Sequence, residues 1–202
     1  AATDTDGTAT QTYSILTAAQ NAASVDHDLF SVAGGGVLTF QASPNYEDAG
    51  CGAGDNSNTC AVVIQVTDGA NTDTITVTVT VQDLNDETPA FTSSGTPSIN
   101  ENVRNVLTLA ASDTDAGDSA TFAITGGADS ELFEIDGGTT LRFAAAAGAN
   151  YESPGDAGTN NEYVVVVTAT DTGANAVAQT ITITIQDVNE FSPEFGDGDT
   201  AT

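Results

Sequence analysis

The 202-residue chain carries 29 Asp and Glu against two Arg and one His, which gives a formal net charge of −27. This balance excludes nucleic acid as a partner, because the sequence offers no basic patch to neutralise phosphates, and it argues against an anionic membrane surface for the same reason. High acidity can also indicate disorder, but a hydrophobic fraction of 39% and several alternating apolar runs predict a folded protein.

No apolar run approaches the length of a transmembrane helix, so we predict no membrane insertion. The chain begins without Met and without a signal-like segment. We therefore expect a mature or excised portion of a longer polypeptide.

The sequence contains two copies of one domain-sized unit. "DTDGTATQTYSI" at 4–15 aligns with "DTDAGDSATFAI" at 113–124, and "NYE" recurs at 45–47 and 150–152. The stretch "DLNDETPAF" at 83–91 has a near copy, "DVNEFSPEF". Because the matches keep their order, the chain is predicted to hold two related domains.

Each copy is predicted to be all-β. "TITVTVTV" at 74–81 and "TITITI" at 180–185 alternate β-branched apolar residues with Thr, which is the pattern of a strand with one buried face. Turn residues separate the strands at hairpin-like intervals, and "AAAAG" at 144–148 is the one weak candidate for a helical turn. The pattern predicts tandem Greek-key β-sandwiches of about seven strands each.

The two copies are not equally complete. We predict a repeat at 1–86 that lacks its first strand, a complete repeat at 87–190, and the start of a further repeat or a donated strand at 191–202. One explanation for these domain bounds is that the chain is a fragment of a long array of repeats. The other is that the tail is donated to an identical subunit, because an unpaired strand edge is a template for pairing. The array is favoured because the tail has no counterparts of Asn100 and Glu101.

The two cysteines, Cys51 and Cys60, flank a Gly/Asn-rich turn. Their spacing fits no zinc motif. We favour a loop disulfide over two free thiols, and a disulfide indicates an oxidising, extracellular setting.

The acidic residues gather where the strand pattern predicts the ends of the sandwiches. Asp83, Asn85 and Asp86 lie between the copies, and Asp113 and Asp115 lie in the first loop of the second copy. Oxygen ligands from several loops that meet at one junction are what Ca²⁺ requires, because it takes six to eight oxygens in flexible geometry.

These motifs resemble those of the cadherin family. "DLNDETP" resembles the inter-repeat linker Asp-x-Asn-Asp-Asn-x-Pro, "INEN" at 99–102 the early Glu motif, and "DTD" the Asp-x-Asp motif. "NYE" resembles the Asp-x-Glu motif, and "VTATDTG" the Asp motif at a strand end. The motifs occur in the family's order over essentially the whole chain, and tandem cadherin-like modules of prokaryotic surface proteins are the best match in composition.

The resemblance implies cadherin/immunoglobulin-like sandwiches that bind Ca²⁺ at their junctions. The central junction would use Glu47, Asp83, Leu84, Asn85, Asp86, Glu87, Asp113, Asp115 and Asp171. A second junction would use Glu101, Glu152, Asp187, Asn189 and Glu190, and a third would use Asp4, Asp6 and Asp68.

The sequence also departs from the family. Asn45 and Asn150 stand where the family usually has Asp, Glu87 replaces the linker's second Asn, and Glu190 and Phe191 replace Asp and Asn. The first copy has no early Glu, so we expect fewer ions or weaker binding at the central junction.

The implied function is a calcium-rigidified extracellular stalk or filament segment for cell adhesion, with neighbouring repeats, identical subunits, or a surface protein or glycan as partners. Some acids, such as Asp73, Asp156 and Asp197, are instead expected to be solvated loop residues. An EF-hand fits poorly, because Asp118 would occupy the position of its Gly and Ile124 that of its bidentate Glu.

Other functional classes have less support. The sequence has no Gly-x-Ser-x-Gly motif and no Lys, so we predict no enzyme. A carbohydrate-binding β-sandwich module remains the alternative, although the lack of Trp and the presence of only four Tyr count against it.

Overall fold

The computed structural model describes residues 2–3, 10–48, 50–51 and 57–193. Over these residues the chain is all-β apart from two short 3₁₀ turns, His27–Leu29 and Ser130–Leu132. It divides into two compact units, Ala1–Leu84 and Asn85–Thr202. Among the described residues, no helix has the length and apolar character that would be needed to cross a bilayer.

The described part of the first unit contains one sheet of three strands and one of two. The three-stranded sheet has the order β1-β4-β5, and β2 pairs with β3. The strands are β1 (Thr12–Ile15), β2 (Phe30–Val32), β3 (Leu38–Phe40), β4 (Thr59–Thr67) and β5 (Thr72–Thr80). The predicted disulfide between Cys51 and Cys60 is confirmed, and both cysteines pack into the core of this unit beside Phe30 and Val62.

The second unit is a β-sandwich whose two main sheets have the orders β10-β13-β14-β7 and β11-β12-β8, with β6 paired to β9. The strands are β6 (Ala90–Phe91), β7 (Ser98–Asn100), β8 (Asn105–Thr108), β9 (Ala111–Ser112), β10 (Thr121–Gly126), β11 (Phe133–Asp136), β12 (Thr140–Phe143), β13 (Glu162–Thr170) and β14 (Ala176–Gln186). Short breaks separate β6 from β7 and β8 from β9, so the nine segments correspond to the seven strands of the predicted sandwich.

Period-two alternation builds the core of the second unit. Along β14, Ile181, Ile183 and Ile185 are buried while the intervening Thr residues point away from the core. Phe143 packs edge-on against Tyr163 across the two sheets. Burial of large aliphatic and aromatic side chains in this way is the main stabilising contribution to a sandwich.

The repeat is visible in the strands themselves. The described part of the first unit contains counterparts of β10 to β14, and none of β6 to β9. The "AAAAG" segment at 144–148 forms bends and a turn rather than a helix, because four residues are too few to nucleate one.

Candidate metal centre

Four aspartates of the second unit form the group that we call the Asp113 cluster. One carboxylate oxygen from each of Asp113, Asp115, Asp118 and Asp171 lies within 4.8 Å of the others. Asp115 and Asp171 are buried, at 5% and 8% exposure, and the other two are half-buried. Four carboxylates this close repel one another strongly, since each pair shares a partly dry environment.

Three chain segments bring these residues together. Asp113 and Asp115 directly follow β9, and the backbone N–H of Asp115 donates to Oδ1 of Asp113 at 3.1 Å. Gly117 has a φ of +82°, a left-handed backbone conformation that glycine adopts without steric cost. The turn at Gly117 directs the chain back so that Asp118 lies in the cluster. Asp171 directly follows β13, and its Oδ1 accepts the backbone N–H of Asn175 at 2.7 Å in the turn to β14.

The linker segment is bonded to this cluster. The side-chain amide of Asn85 donates to Oδ2 of Asp118 at 2.7 Å, and the amide of Asn175 donates to Oδ1 of Asn85 at 2.9 Å. The backbone N–H of Glu87 donates to Oδ2 of Asp115 at 3.0 Å. The start of the second unit is therefore held by the same carboxylates that form the cluster.

The pKa of Asp118 is lowered by this network. The largest cause is the hydroxyl of Thr172, which donates to Oδ1 at 2.7 Å. Desolvation, the next largest, raises the pKa, but the N–H of Ser119 and the amide of Asn85 add to the lowering, which prevails. These donors favour the ionised carboxylate, so the cluster keeps negative charge.

In the part of the chain that the structure describes, no basic side chain pairs with the Asp113 cluster. Arg104 pairs with Glu134, and Arg142 pairs with Glu134 and Asp136. Oδ2 of Asp113 is buried without a hydrogen-bond partner among the described residues. A cation would satisfy this oxygen and offset the repulsion. Because all the candidate metal ligands in the cluster are oxygens, they fit a hard divalent ion such as Ca²⁺.

A second group, the Glu101 cluster, lies elsewhere in the same unit. Carboxylate oxygens of Glu101, Glu152 and Asp187 lie within 4.8 Å of one another. Glu101 is almost fully buried, and its two oxygens accept the backbone N–H groups of Tyr151 and Val188, both at 2.8 Å. The position of Glu101 is therefore fixed by two backbone segments.

The pKa values of this cluster move in opposite directions. The N–H groups of Tyr151 and then Val188 lower the pKa of Glu101. The backbone N–H of Glu152 lowers the pKa of its own carboxyl, but desolvation and the charges of Glu101, Glu190 and Asp187 outweigh it and raise that pKa. A carboxyl with a raised pKa among like charges marks a place where a cation is favoured.

The structure brings together several of the residues that the sequence singled out. Asp113, Asp115 and Asp171 share one cluster with Asn85 and Glu87 bonded to it, and Glu101, Glu152 and Asp187 share the other. Glu190 accepts a hydrogen bond from Asn102 at 2.6 Å, whereas Asn189 is exposed. Whether these residues hold an ion remains a prediction.

Residues of the predicted central and third junctions fall in different parts of the chain. Glu47, Asp83 and Leu84 belong to the first unit, and the exposed Asp86 belongs to the second. Asp68 accepts the N–H groups of Asn71 and Ala70, which in that order lower its pKa, so it shapes the turn between β4 and β5. Asp4, Asp6 and Asp197 lie outside the described residues.

Sequence reasoning missed Asp118 and Asn175, and it misjudged Asp156. Asp118 lies in the Asp113 cluster because Gly117 turns the chain, and a glycine between two aspartates is the signal that could have located it. Asp156 was expected to be solvated, but it is 3% exposed and its carboxylate accepts the N–H groups of Asn160 and Asn161. It is a structural residue of that loop.

Together, the sheets and the order of the strands define a cadherin-like β-sandwich fold. No protein-family model matches the sequence, and no curated protein matches it.

The structural similarity is to extracellular cadherin domains. Drosophila N-cadherin EC1-4 matches with a TM-score of 0.67 at 20% identity, over 89% of this chain and 43% of that one. Human protocadherin-24 EC1-2 matches with 0.65 at 21% identity, over 92% and 85% of the chains, and mouse cadherin-23 EC22-24 with 0.61 at 17%. The chain thus spans less than half of the N-cadherin structure. At these identities the similarity shows the fold.

Proposed function

We propose that the protein is a calcium-rigidified segment of an extracellular stalk or filament that supports cell adhesion. The observation that carries the proposal is the Asp113 cluster, in which four carboxylates meet around a buried, unpaired oxygen of Asp113. The disulfide between Cys51 and Cys60 supports an oxidising, extracellular location.

The attachment of the linker gives Ca²⁺ a mechanical role in this proposal. Because Asn85 and Glu87 are bonded to cluster carboxylates, an ion bound there would also order the start of the second unit. In the proposal, Glu47, Asp83, Leu84 and Asp86 are further ligands of the same junction. Metal affinity and stiffness are then thermodynamically coupled, since the ordered joint binds the ion better than a loose one.

The Glu101 cluster would hold a further ion, with Asn189 and Glu190 as additional ligands. Its geometry supports this assignment because Glu101 is already held by two backbone N–H groups and needs no rearrangement. A segment that follows residue 190 would be fixed there in the same way.

The proposed role is structural rather than enzymatic. The carboxylates of both clusters hold turns and linker backbone, which is the work of structural groups. A partner for adhesion would be a neighbouring repeat or an identical subunit.

Small-angle X-ray scattering of the chain in about 2 mM Ca²⁺, which exceeds the roughly 0.1–1 mM dissociation constants of extracellular calcium sites, and in excess chelator tests the proposal. We expect chelation to broaden the particle's distance distribution and to shorten its maximum dimension. The variant D113N/D118N should give the chelated profile in Ca²⁺, while E131Q, which removes an exposed charge outside both clusters, should respond like the wild type. Identical profiles for the wild type in both buffers would contradict the proposal.

A further inference from the structure

The side chain of the linker residue Asn85 fits into a socket on the second unit. Its Nδ2 group donates to Oδ2 of Asp118 at 2.7 Å and to the hydroxyl of Thr172 at 3.1 Å. Its Oδ1 accepts the Nδ2 group of Asn175 at 2.9 Å. Because an ionised carboxylate can only accept, the bond to Asp118 fixes which end of the Asn85 amide is the donor. Both ends of this amide are therefore bonded to loops of the second unit.

Gly173 forms the floor of this socket. A Cβ atom at that position would collide with Oδ1 of Asn85 and would lie 2.7 Å from its Cγ. Gly173 has no positive φ, so the closeness of Asn85, and not the backbone conformation, requires glycine here. The next residue, Ala174, has a φ of +71°, a strained conformation that persists only where the surrounding structure fixes it. We call these groups the Asn85 socket: Asp118, Thr172, Gly173 and Asn175.

The equivalent turn of the first unit is built differently. Aligning "TDGAN" at 67–71 with "TDTGAN" at 170–175 shows that the first turn is one residue shorter and has no counterpart of Thr172. In the second unit, the hydroxyl of Thr172 accepts from Asn85 and donates to Oδ1 of Asp118 at 2.7 Å. The additional residue therefore supplies a group that joins the linker to the loop after β9.

The Asn85 socket also connects the linker to the Asp113 cluster. Asn175 donates its backbone N–H to Oδ1 of Asp171 at 2.7 Å and its Nδ2 group to Oδ2 at 2.8 Å. Asp118 is itself a member of the cluster. Two residues further along the linker, the N–H of Glu87 donates to Oδ2 of Asp115 at 3.0 Å. A continuous set of hydrogen bonds thus runs from the cluster carboxylates to the linker backbone.

We propose that Asn85 is a latch that couples the linker to the Asp113 cluster through the Asn85 socket, and that it is not a ligand of the ion. Ligation of an ion by Oδ1 of Asn85 would compete with Asn175, which donates to that oxygen. Because every group of the latch belongs to the chain, the latch closes without an ion. The inference rests on the proposed function, since an ion that fixes Asp171 would tighten the latch through Asn175.

Hydrogen exchange at the backbone amide of Glu87, measured by NMR on the full 202-residue chain in chelator, tests the latch without calcium. G173A should expel the side chain of Asn85, although it removes no candidate metal ligand and no charge. We expect exchange at Glu87 to be at least tenfold faster in G173A than in the wild type, because hydrogen bonds to charged groups each shift an opening equilibrium by about tenfold or more. The control G126A, whose added Cβ would meet Val166 at an ordinary 4.0 Å, should exchange like the wild type.

A double-mutant cycle shows whether Gly173 acts through Asn85. N85A should accelerate exchange at Glu87 as much as G173A does. Adding G173A to N85A should then have no further effect, because the side chain that the new Cβ would displace is already absent. Additive effects of the two changes, or exchange at Glu87 that is equally slow in N85A and in the wild type, would overturn the proposal.

N85D separates a latch from a ligand. A carboxylate at this position has no N–H group to donate to Asp118, so the latch should open and exchange at Glu87 should become at least tenfold faster. Calorimetric titration of N85D should show Ca²⁺ binding no tighter than that of the wild type. If Asn85 were a ligand, the added charge would strengthen the site, so tighter Ca²⁺ binding with slow exchange at Glu87 would contradict the latch.

The two readouts distinguish failure of the latch from failure of the proposed function. If the wild type binds Ca²⁺ but exchange at Glu87 does not depend on Asn85, the latch is wrong and the calcium function stands. If exchange depends on Asn85 in chelator but the wild type binds no Ca²⁺, the docking of the linker is confirmed and the calcium function fails.

Discussion

Replacing Asp113 by Asn should change the stability of the second unit in opposite directions with and without Ca²⁺. In chelator, the change removes one of four carboxylates that lie within 4.8 Å of one another. It also converts the buried, unpaired Oδ2 of Asp113 into an amide N–H₂ that can donate to its neighbours, while Oδ1 can still accept the N–H of Asp115.

The distance sets the size of the effect. At 4.8 Å, the largest separation in the cluster, each pair of carboxylates repels by about 0.9 kcal/mol in water, and 0.15 M salt reduces this to about 0.5 kcal/mol. Asp113 takes part in three such pairs and the cluster is partly buried, so D113N should stabilise the calcium-free unit by at least about 1.5 kcal/mol, or roughly 6 °C in Tm. In Ca²⁺ the lost ligand should instead weaken binding at least tenfold.

Differential scanning calorimetry in chelator and over a range of Ca²⁺ concentrations measures both effects. The Tm of D113N should lie above that of the wild type in chelator and below it in saturating Ca²⁺, so the two curves cross. E131Q should follow the wild type throughout. A D113N variant that is less stable than the wild type in both conditions would refute the reasoning, because Asp113 would then be a structural residue.

Three further predictions concern stability. The pKa of the Glu101 carboxyl is lowered in the folded state from its ordinary value of 4.5. In chelator, this carboxylate should therefore contribute fully to the free energy of unfolding above pH 4.5, and the contribution should be lost as the pH falls below 4.5. E101Q should flatten this part of the pH–stability curve measured by urea unfolding. Replacing Cys51 and Cys60 by Ser should destabilise the first unit by about 2.5 kcal/mol, the entropy of a short closed loop, and an unchanged urea midpoint would contradict this. I183A should cost about 3 kcal/mol, whereas V79A at the equivalent, half-buried position should cost about 1 kcal/mol. A V79A loss above about 2 kcal/mol, as for a fully buried Val, would show that Val79 is covered in solution.

The strands were predictable because their pattern is local. The alternation in "TITITI" at 180–185 already fixes which face of β14 is buried, and Ile181 and Ile183 lie there. The cysteine pair was predictable for a similar reason, since a short loop brings Cys51 and Cys60 together.

The features that the sequence did not predict depend on contacts between residues that are distant along the chain. Asp118 reaches Asp171 through a glycine turn, and the sequence does not show which way that turn directs the chain. Asp156 is buried because a loop folds over it and donates two backbone N–H groups. The motif resemblance succeeded in grouping Glu101 with Asp187, because it encodes such long-range contacts indirectly.

Isothermal titration calorimetry of the full chain with CaCl₂ tests the central claim most directly. The account predicts saturable binding that is weakened at least tenfold in D113N/D118N, with E131Q unchanged and Mg²⁺ unable to compete at equal concentration, since Mg²⁺ demands a smaller, octahedral site. If wild-type protein gives no saturable heat at millimolar Ca²⁺, or if D113N/D118N binds like the wild type, the Asp113 cluster is not a calcium site.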